Sequence, residues 1–253
     1  MDSYRWFLFI HVAAGTVALA TYWIAAAMRK GTPRHRRVGQ VFLLAMLPVL
    51  GSGVPLSMAL VERGRPLTAI FLGYLLLLTG SACWSAWRAI RDRNNRDRYF
   101  GAMYWVFAVL VGAAGLGIAI VGTKIGALLF QVFGVVGVAA SIDAVVQWRR
   151  APGNPRWWLR EHFNAMIGNG IAVHIAFVSI GLRSVLAELD LVVVQYLAWF
   201  GPLAVAVAAA VWLNRKYGGT KAQAALPRGV LEENTRPAQG RSVTAAAPPS
   251  SVA

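Results

Sequence analysis

The chain has 253 residues, of which 57% are hydrophobic and only 14% charged, with 25 Lys and Arg against 10 Asp and Glu. Soluble domains carry about 25% charged residues, and disordered chains are poor in apolar ones, so both classes are excluded. A mean hydropathy of +0.54 and a formal charge of +15 point instead to an all-α, polytopic membrane protein whose basic residues lie between apolar runs.

Seven such runs are visible, at Tyr4–Met28, Val38–Leu60, Leu67–Ile90, Phe100–Gly122, Ile125–Trp148, Leu159–Leu182 and Leu191–Leu213. Each can cross ~30 Å of hydrocarbon, which takes about 20 helical residues. A barrel would show alternating segments of about 10 residues instead. The first run is longer than a signal-peptide core, and no small-residue cleavage pattern follows it. The basic block from Arg29 to Arg37 reads as a stop-transfer flank, so this run is expected to stay as a helix. The second run holds Pro48, Gly51-Ser52-Gly53 and Pro55, which predicts a kink or break near mid-membrane. Broken helices build transporter sites; a packed proline kink is the simpler reading. The fifth run carries Gly134, Gly137 and Ser141, a spacing of small residues that predicts close helix packing. From residue 217 to 253 no apolar period survives. The expected organisation is a seven-helix transmembrane domain over 1–216 and a disordered cytoplasmic tail over 217–253.

Orientation follows from the basic residues. The first, third, fifth and last connecting segments hold five, five, four and three Lys or Arg. The other side holds Arg5, Arg63, Arg65, Lys124 and Arg183. The positive-inside rule places the N-terminus outside and the C-terminus in the cytoplasm. Trp84, Trp87, Trp148, Trp157, Trp158 and Trp212 flank the inner segments, and Tyr4, Trp6, Tyr196 and Trp199 lie toward the outer ends, as two aromatic belts. No basic stretch outside the runs is interleaved with stacking aromatics, so nucleic acid is not an expected partner. The single Cys83 rules out an intramolecular disulfide and CxxC or CxxCH sites; it reads as a packing residue.

Ionisable residues in a membrane are functional candidates. His11 and His174 fall about 10 and 12 Å from the outer surface at 1.5 Å per residue. They could meet and ligate haem iron, hold a divalent metal or relay a proton, or each could bond a backbone carbonyl or hydroxyl separately. His35 lies just before the second run and His162 opens the sixth. Asp143 is the one acid well inside an apolar run and needs a partner, with His162, Arg160 or an arginine from another loop as candidates. Together His35, Asp143, His162, Asn164 and Asn169 form a candidate polar site at the cytoplasmic ends of the second, fifth and sixth runs. Arg34, Arg36 and Arg37 are placed to grip anionic lipid headgroups. His162 and His174 are twelve residues apart, which offsets them by about 120° on a helix and disfavours two stacked haems. No GxSxG, HExxH or Walker loop is present, so no enzymatic constellation is visible.

Two segments carry a resemblance: His35-Arg36-Arg37-Val38-Gly39-Gln40, and Trp157-Trp158-Leu159-Arg160-Glu161-His162-Phe163-Asn164-Ala165-Met166-Ile167-Gly168. They resemble an uncharacterised family of bacterial integral membrane proteins, the domain of unknown function 2306. The resemblance implies that His35, Gly39, His162 and Met166 are motif positions and that the chain resides in the bacterial inner membrane. It implies no activity. Three functions are therefore weighed: small-solute or proton-coupled transport or sensing through the polar site; a histidine-ligated haem or metal redox protein; and a non-catalytic membrane subunit or assembly factor with a protein partner.

Overall fold

The computed structural model describes residues 2–181 and 192–217. Among the described residues there are helices and no strand. They are α1 (Asp2–Ala27), α2 (Pro33–Glu62), α3 (Pro66–Arg91), the short α4 (Arg96–Tyr99), α5 (Ala102–Ile125), α6 (Leu128–Arg150), α7 (Trp157–Ile175) and α8 (Val192–Tyr217). A 3-10 turn at Ala151–Gly153 leads toward α7, and a π turn at Ala176–Gly181 extends it. The expected tail and the outer segment bearing Arg183, Glu188 and Asp190 lie outside the described residues.

Six helices, all but α4 and α7, are long and apolar enough to cross a membrane. The sixth apolar run is the one that falls short. Its helix, α7, opens with Arg160, Glu161 and His162 and carries Asn164, Asn169 and His174 further on. Lipid cannot satisfy such groups, so they must turn toward protein or a cavity. That is where they are: from Trp157 to Ala176 no residue is exposed. The helix packs mainly on α3 and α8 and also touches α1 and α6. By contrast α1 is largely exposed along its length, as an apolar helix facing lipid can be. A helix that carries polar groups along its length is thus enclosed by its neighbours.

The small residues of α5 and α6 pack as expected. A Cβ on Gly134 would stand 2.5 Å from the Ala119 backbone nitrogen and 2.7 Å from the Gly115 carbonyl. Only hydrogen fits at such an approach. Tyr74 of α3 crosses the same region and donates to the Phe133 carbonyl at 2.7 Å.

Two expectations about α2 are corrected. The helix runs unbroken from Pro33 to Glu62 with Pro48 and Pro55 inside it, so no break forms. The Ser52 hydroxyl donates back to the Pro48 carbonyl, and the Ser57 hydroxyl to the Gly53 carbonyl at 2.8 Å, so both hydroxyls are satisfied within the helix. The helix also begins five residues before the expected run. Thr32 caps it, its hydroxyl accepting from the His35 amide at 3.2 Å, with Pro33 at the first helical position. A preset φ and a dispensable amide favour proline there. His35, Arg36 and Arg37 therefore sit in the first turns of α2, not in a loop.

Candidate functional site

A cavity of about 1460 Å³ runs between the helices. Its lining extends on α3 from Thr68 to Ser85 and on α6 from Leu129 to Gln147. At 1.5 Å per residue that is roughly 25 Å along the bundle. The walls are mostly aliphatic and aromatic. At one end Arg63 and Arg65 of the α2–α3 turn line it, with Arg63 lying 3.9 Å over the Tyr4 ring. At the other end the lining becomes acidic and amide-rich.

That end is built by α6 and α7. Asp143 and Gln147 are one turn apart on α6, and the Gln147 amide donates to the Asp143 carboxylate at 2.8 Å. Asp143 is exposed within the cavity. On α7 the residues Glu161, Asn164, Gly168 and Ile171 all line the cavity. Their spacing of three, four and three is one helical face. Glu161 lies within electrostatic reach of both Asp143 and Arg160. The Tyr99 hydroxyl donates to the Glu161 carboxylate at 2.6 Å, and the Tyr104 hydroxyl donates to the Ala144 carbonyl at 2.9 Å. The carboxamide oxygen of Asn164 is enclosed and has no hydrogen-bond partner, and the same holds for Arg160 Nε.

Behind the acids the bundle is closed by rings. Tyr99, Phe100, Tyr104 and Trp157 form a buried cluster with Ala89 and Ala151. Ring centroids are 4.9 Å apart for Tyr99 and Trp157 and 4.8 Å for Phe100 and Tyr104, distances at which aromatic pairs attract. Burial and the neighbouring Glu161 carboxylate hold the Tyr99 phenol well above its ordinary pKa, so it is a proton donor throughout the neutral range.

The expected five-residue polar site divides into three. Asp143 and Asn164 do share the cavity. His162 and Asn169, seven residues apart, both turn to α3. The His162 Nδ1 pairs with the Ala86 carbonyl at 3.1 Å, and the Cys83 thiol donates to the Asn169 carboxamide at 3.0 Å. Asn169 is fully buried. His35 pairs with the Ala25 carbonyl at 3.1 Å, and with Lys30 it lies within electrostatic reach of His162. Lys30 caps α1, donating to Ala25 and Ala26 carbonyls at 2.9 and 2.7 Å. Partial burial lowers the pKa of that lysine. Met166 packs with the buried Ala18, Phe42, Met46 and Val173, so His162 and Met166 both help join α7 to its neighbours. Arg34, Arg36 and Arg37 are exposed at the same end.

Two further expectations are corrected. Among the described residues Asp143 has no ion pair; its partner is Gln147, because an exposed carboxylate beside a cavity needs no buried counter-ion. His11 and His174 do not meet. His11 Nδ1 pairs with the Ser52 hydroxyl at 3.1 Å. The His174 ring packs edge-on against Tyr22 and Trp23, at 5.6 and 5.4 Å, and its Nδ1 donates to the Gly170 carbonyl at 2.6 Å. Tyr22 is eleven residues from His11, about 16 Å along α1. Among the described residues no group of three His, Cys, Asp or Glu side chains is arranged to hold a metal ion.

The acid that sequence reasoning missed is Glu161. Set between Arg160 and His162 at the end of an apolar run, it reads as a surface residue. The three-four-three spacing with Asn164, Gly168 and Ile171 was the available signal. No family model, curated protein or solved structure matches the chain.

Proposed function

We propose that the chain is a seven-span carrier of the bacterial inner membrane that couples a small solute to protons, with Asp143 and Glu161 as the proton-handling groups. In this reading α7 is the seventh span, enclosed because it is polar. The α1–α2, α3–α5 and α6–α7 connections face the cytoplasm, where the basic residues concentrate. The exposed Arg34, Arg36 and Arg37 then meet anionic headgroups. The observation that carries the reading is the pair of carboxylates on facing helices at the closed end of one long cavity. Carboxylates inside a membrane bundle are by default groups that handle protons or cations, because a polar ionisable residue is costly to keep there. The aromatic cluster behind them separates the cavity from the cytoplasmic end, as a carrier resting in one orientation requires.

The test is proton flux into liposomes holding the purified chain and a trapped pH dye, driven by an imposed potential. Flux above that of empty liposomes, cut at least about tenfold in both Asp143→Asn and Glu161→Gln, is expected. Flux that is absent, or equal in both folded variants, sinks the reading.

A further inference from the structure

The chemistry of the cavity also selects a class of solute. Its closed end is rich in acceptors, and three of its donors are engaged within it, while Arg160 Nε nearby is enclosed without a partner. Gln147 donates to Asp143, Tyr99 to Glu161 and Tyr104 to the Ala144 carbonyl. The Asn164 carboxamide oxygen, on the same face of α7 as Glu161, is left enclosed with no donor. Buried acceptors are normally partnered, and this one lies beside two carboxylates. Two acids with Arg160 nearby leave one negative charge in excess. A ligand that completes this end therefore brings N–H donors and one positive charge. The rest of the cavity asks for something else. Over roughly 25 Å its walls are apolar residues of α3, α6 and α8 such as Leu72, Val136 and Val207. Among the described residues the only arginines lining it, Arg63 and Arg65, stand at the far end. A bare inorganic cation would leave those walls unused.

We propose that the cavity binds a lipophilic primary ammonium compound, its head on Asp143, Glu161 and Asn164 and its apolar body along the shaft. The inference rests on the carrier reading of the same site and names its substrate class. Head and body are recognised by different physics: charge-assisted hydrogen bonds at the end and apolar burial along the walls.

The experiment uses the full chain in lipid nanodiscs and radiolabelled octylammonium in equilibrium dialysis, with empty nanodiscs subtracted. Saturable binding near one per chain is expected. Unlabelled octyltrimethylammonium, charged but without N–H donors, should compete at least about tenfold more weakly. Octanoate, octanol and ammonium chloride should not compete at the same concentration. Asp143→Asn and Glu161→Gln should each weaken binding at least about tenfold. The proposal is overturned if octylammonium does not saturate, or if octanol, octanoate, ammonium chloride or the trimethyl analogue competes as well as octylammonium itself. That competitor series uses the unaltered chain, so it decides even where a variant fails to fold. Octylammonium binding without proton flux would refute the carrier reading and keep this one. Flux without octylammonium binding would do the reverse.

Discussion

Tyr99→Phe isolates one bond between the short α4 and the acidic end of the cavity. Tyr99 is completely buried among Trp84, Phe100, Tyr104 and Trp157. Phenylalanine fills the same shape, so the change removes the hydroxyl that donates to Glu161 at 2.6 Å and little else. A hydrogen bond to a charged acceptor contributes about 1.5–3 kcal/mol. At ~2–4 °C per kcal/mol for a chain of this size, Tm should fall by about 3–12 °C. The assay is provided by Cys83, the single cysteine, whose thiol is engaged with Asn169. A thiol-reactive fluorogenic dye therefore lights up as the bundle opens on heating. Glu161→Gln keeps a carbonyl acceptor for Tyr99 and should cost less. In the double variant the losses should fall short of additive by about 1 kcal/mol or more. Strict additivity, or a Tyr99→Phe chain as stable as the parent, would refute the bond's contribution. The pH dependence has a definite sign. The folded phenol titrates well above its ordinary value, while in the unfolded chain it titrates near pH ~10. Its stabilisation is present below that pH and is lost as pH rises beyond it. Tyr99→Phe should lose stability less steeply above pH ~10.

Gly134→Val should disrupt the α5–α6 contact, since the new Cβ meets backbone atoms that cannot step aside; a loss of about 3 kcal/mol or more, seen as aggregation on size exclusion, is expected. Gly117→Ala on the same helix pair meets open space and should stay within about 1 kcal/mol of the parent. Asp92 is buried between Arg88 and Arg98 in the turn after α3. Asp92→Ala should lower stability by about 1–3 kcal/mol in the same dye assay, with Arg98 too exposed to push the loss higher. A neutral outcome would mean that water serves the two arginines as well as the carboxylate does.

The helical content and most of the spans were legible because lipid leaves a chain few options: apolar runs of the right length must be helices. The α5–α6 contact was legible for a related reason, since Gly134, Gly137 and Ser141 have no use at that spacing except close approach. The site was only half legible. Asp143 and Asn164 stand out as polar groups inside apolar runs, and they do share the cavity. Glu161 is masked by its charged neighbours. Its partner Tyr99 is 62 residues away, a relation no local pattern encodes. Of the two alternatives for His11 and His174, the separate one is found, and the idea that they could meet rested on an assumption about depth. It took the helix ends as level, whereas Tyr22, five residues from the end of α1, packs against His174, seventeen residues into α7. Of the kink or break expected in α2, the break does not form: the helix runs unbroken past both prolines, and its Ser52 and Ser57 hydroxyls are satisfied within it.

Asp143 and Glu161 line the cavity, and a water-filled cavity with two carboxylates at one end is electronegative there. Ala140, one turn from Asp143, lines that cavity and is exposed in it, while the neighbouring Ile142 is exposed without lining it. Each is changed to cysteine in a Cys83→Ser chain and treated with charged methanethiosulfonates. Ala140→Cys should react, severalfold faster with the cationic reagent than with the anionic one, and Asp143→Asn should reduce the preference. Ile142→Cys, facing lipid, should resist both reagents. An Ala140→Cys chain as inert as Ile142→Cys, or one that prefers the anionic reagent, would contradict a water-filled, electronegative cavity.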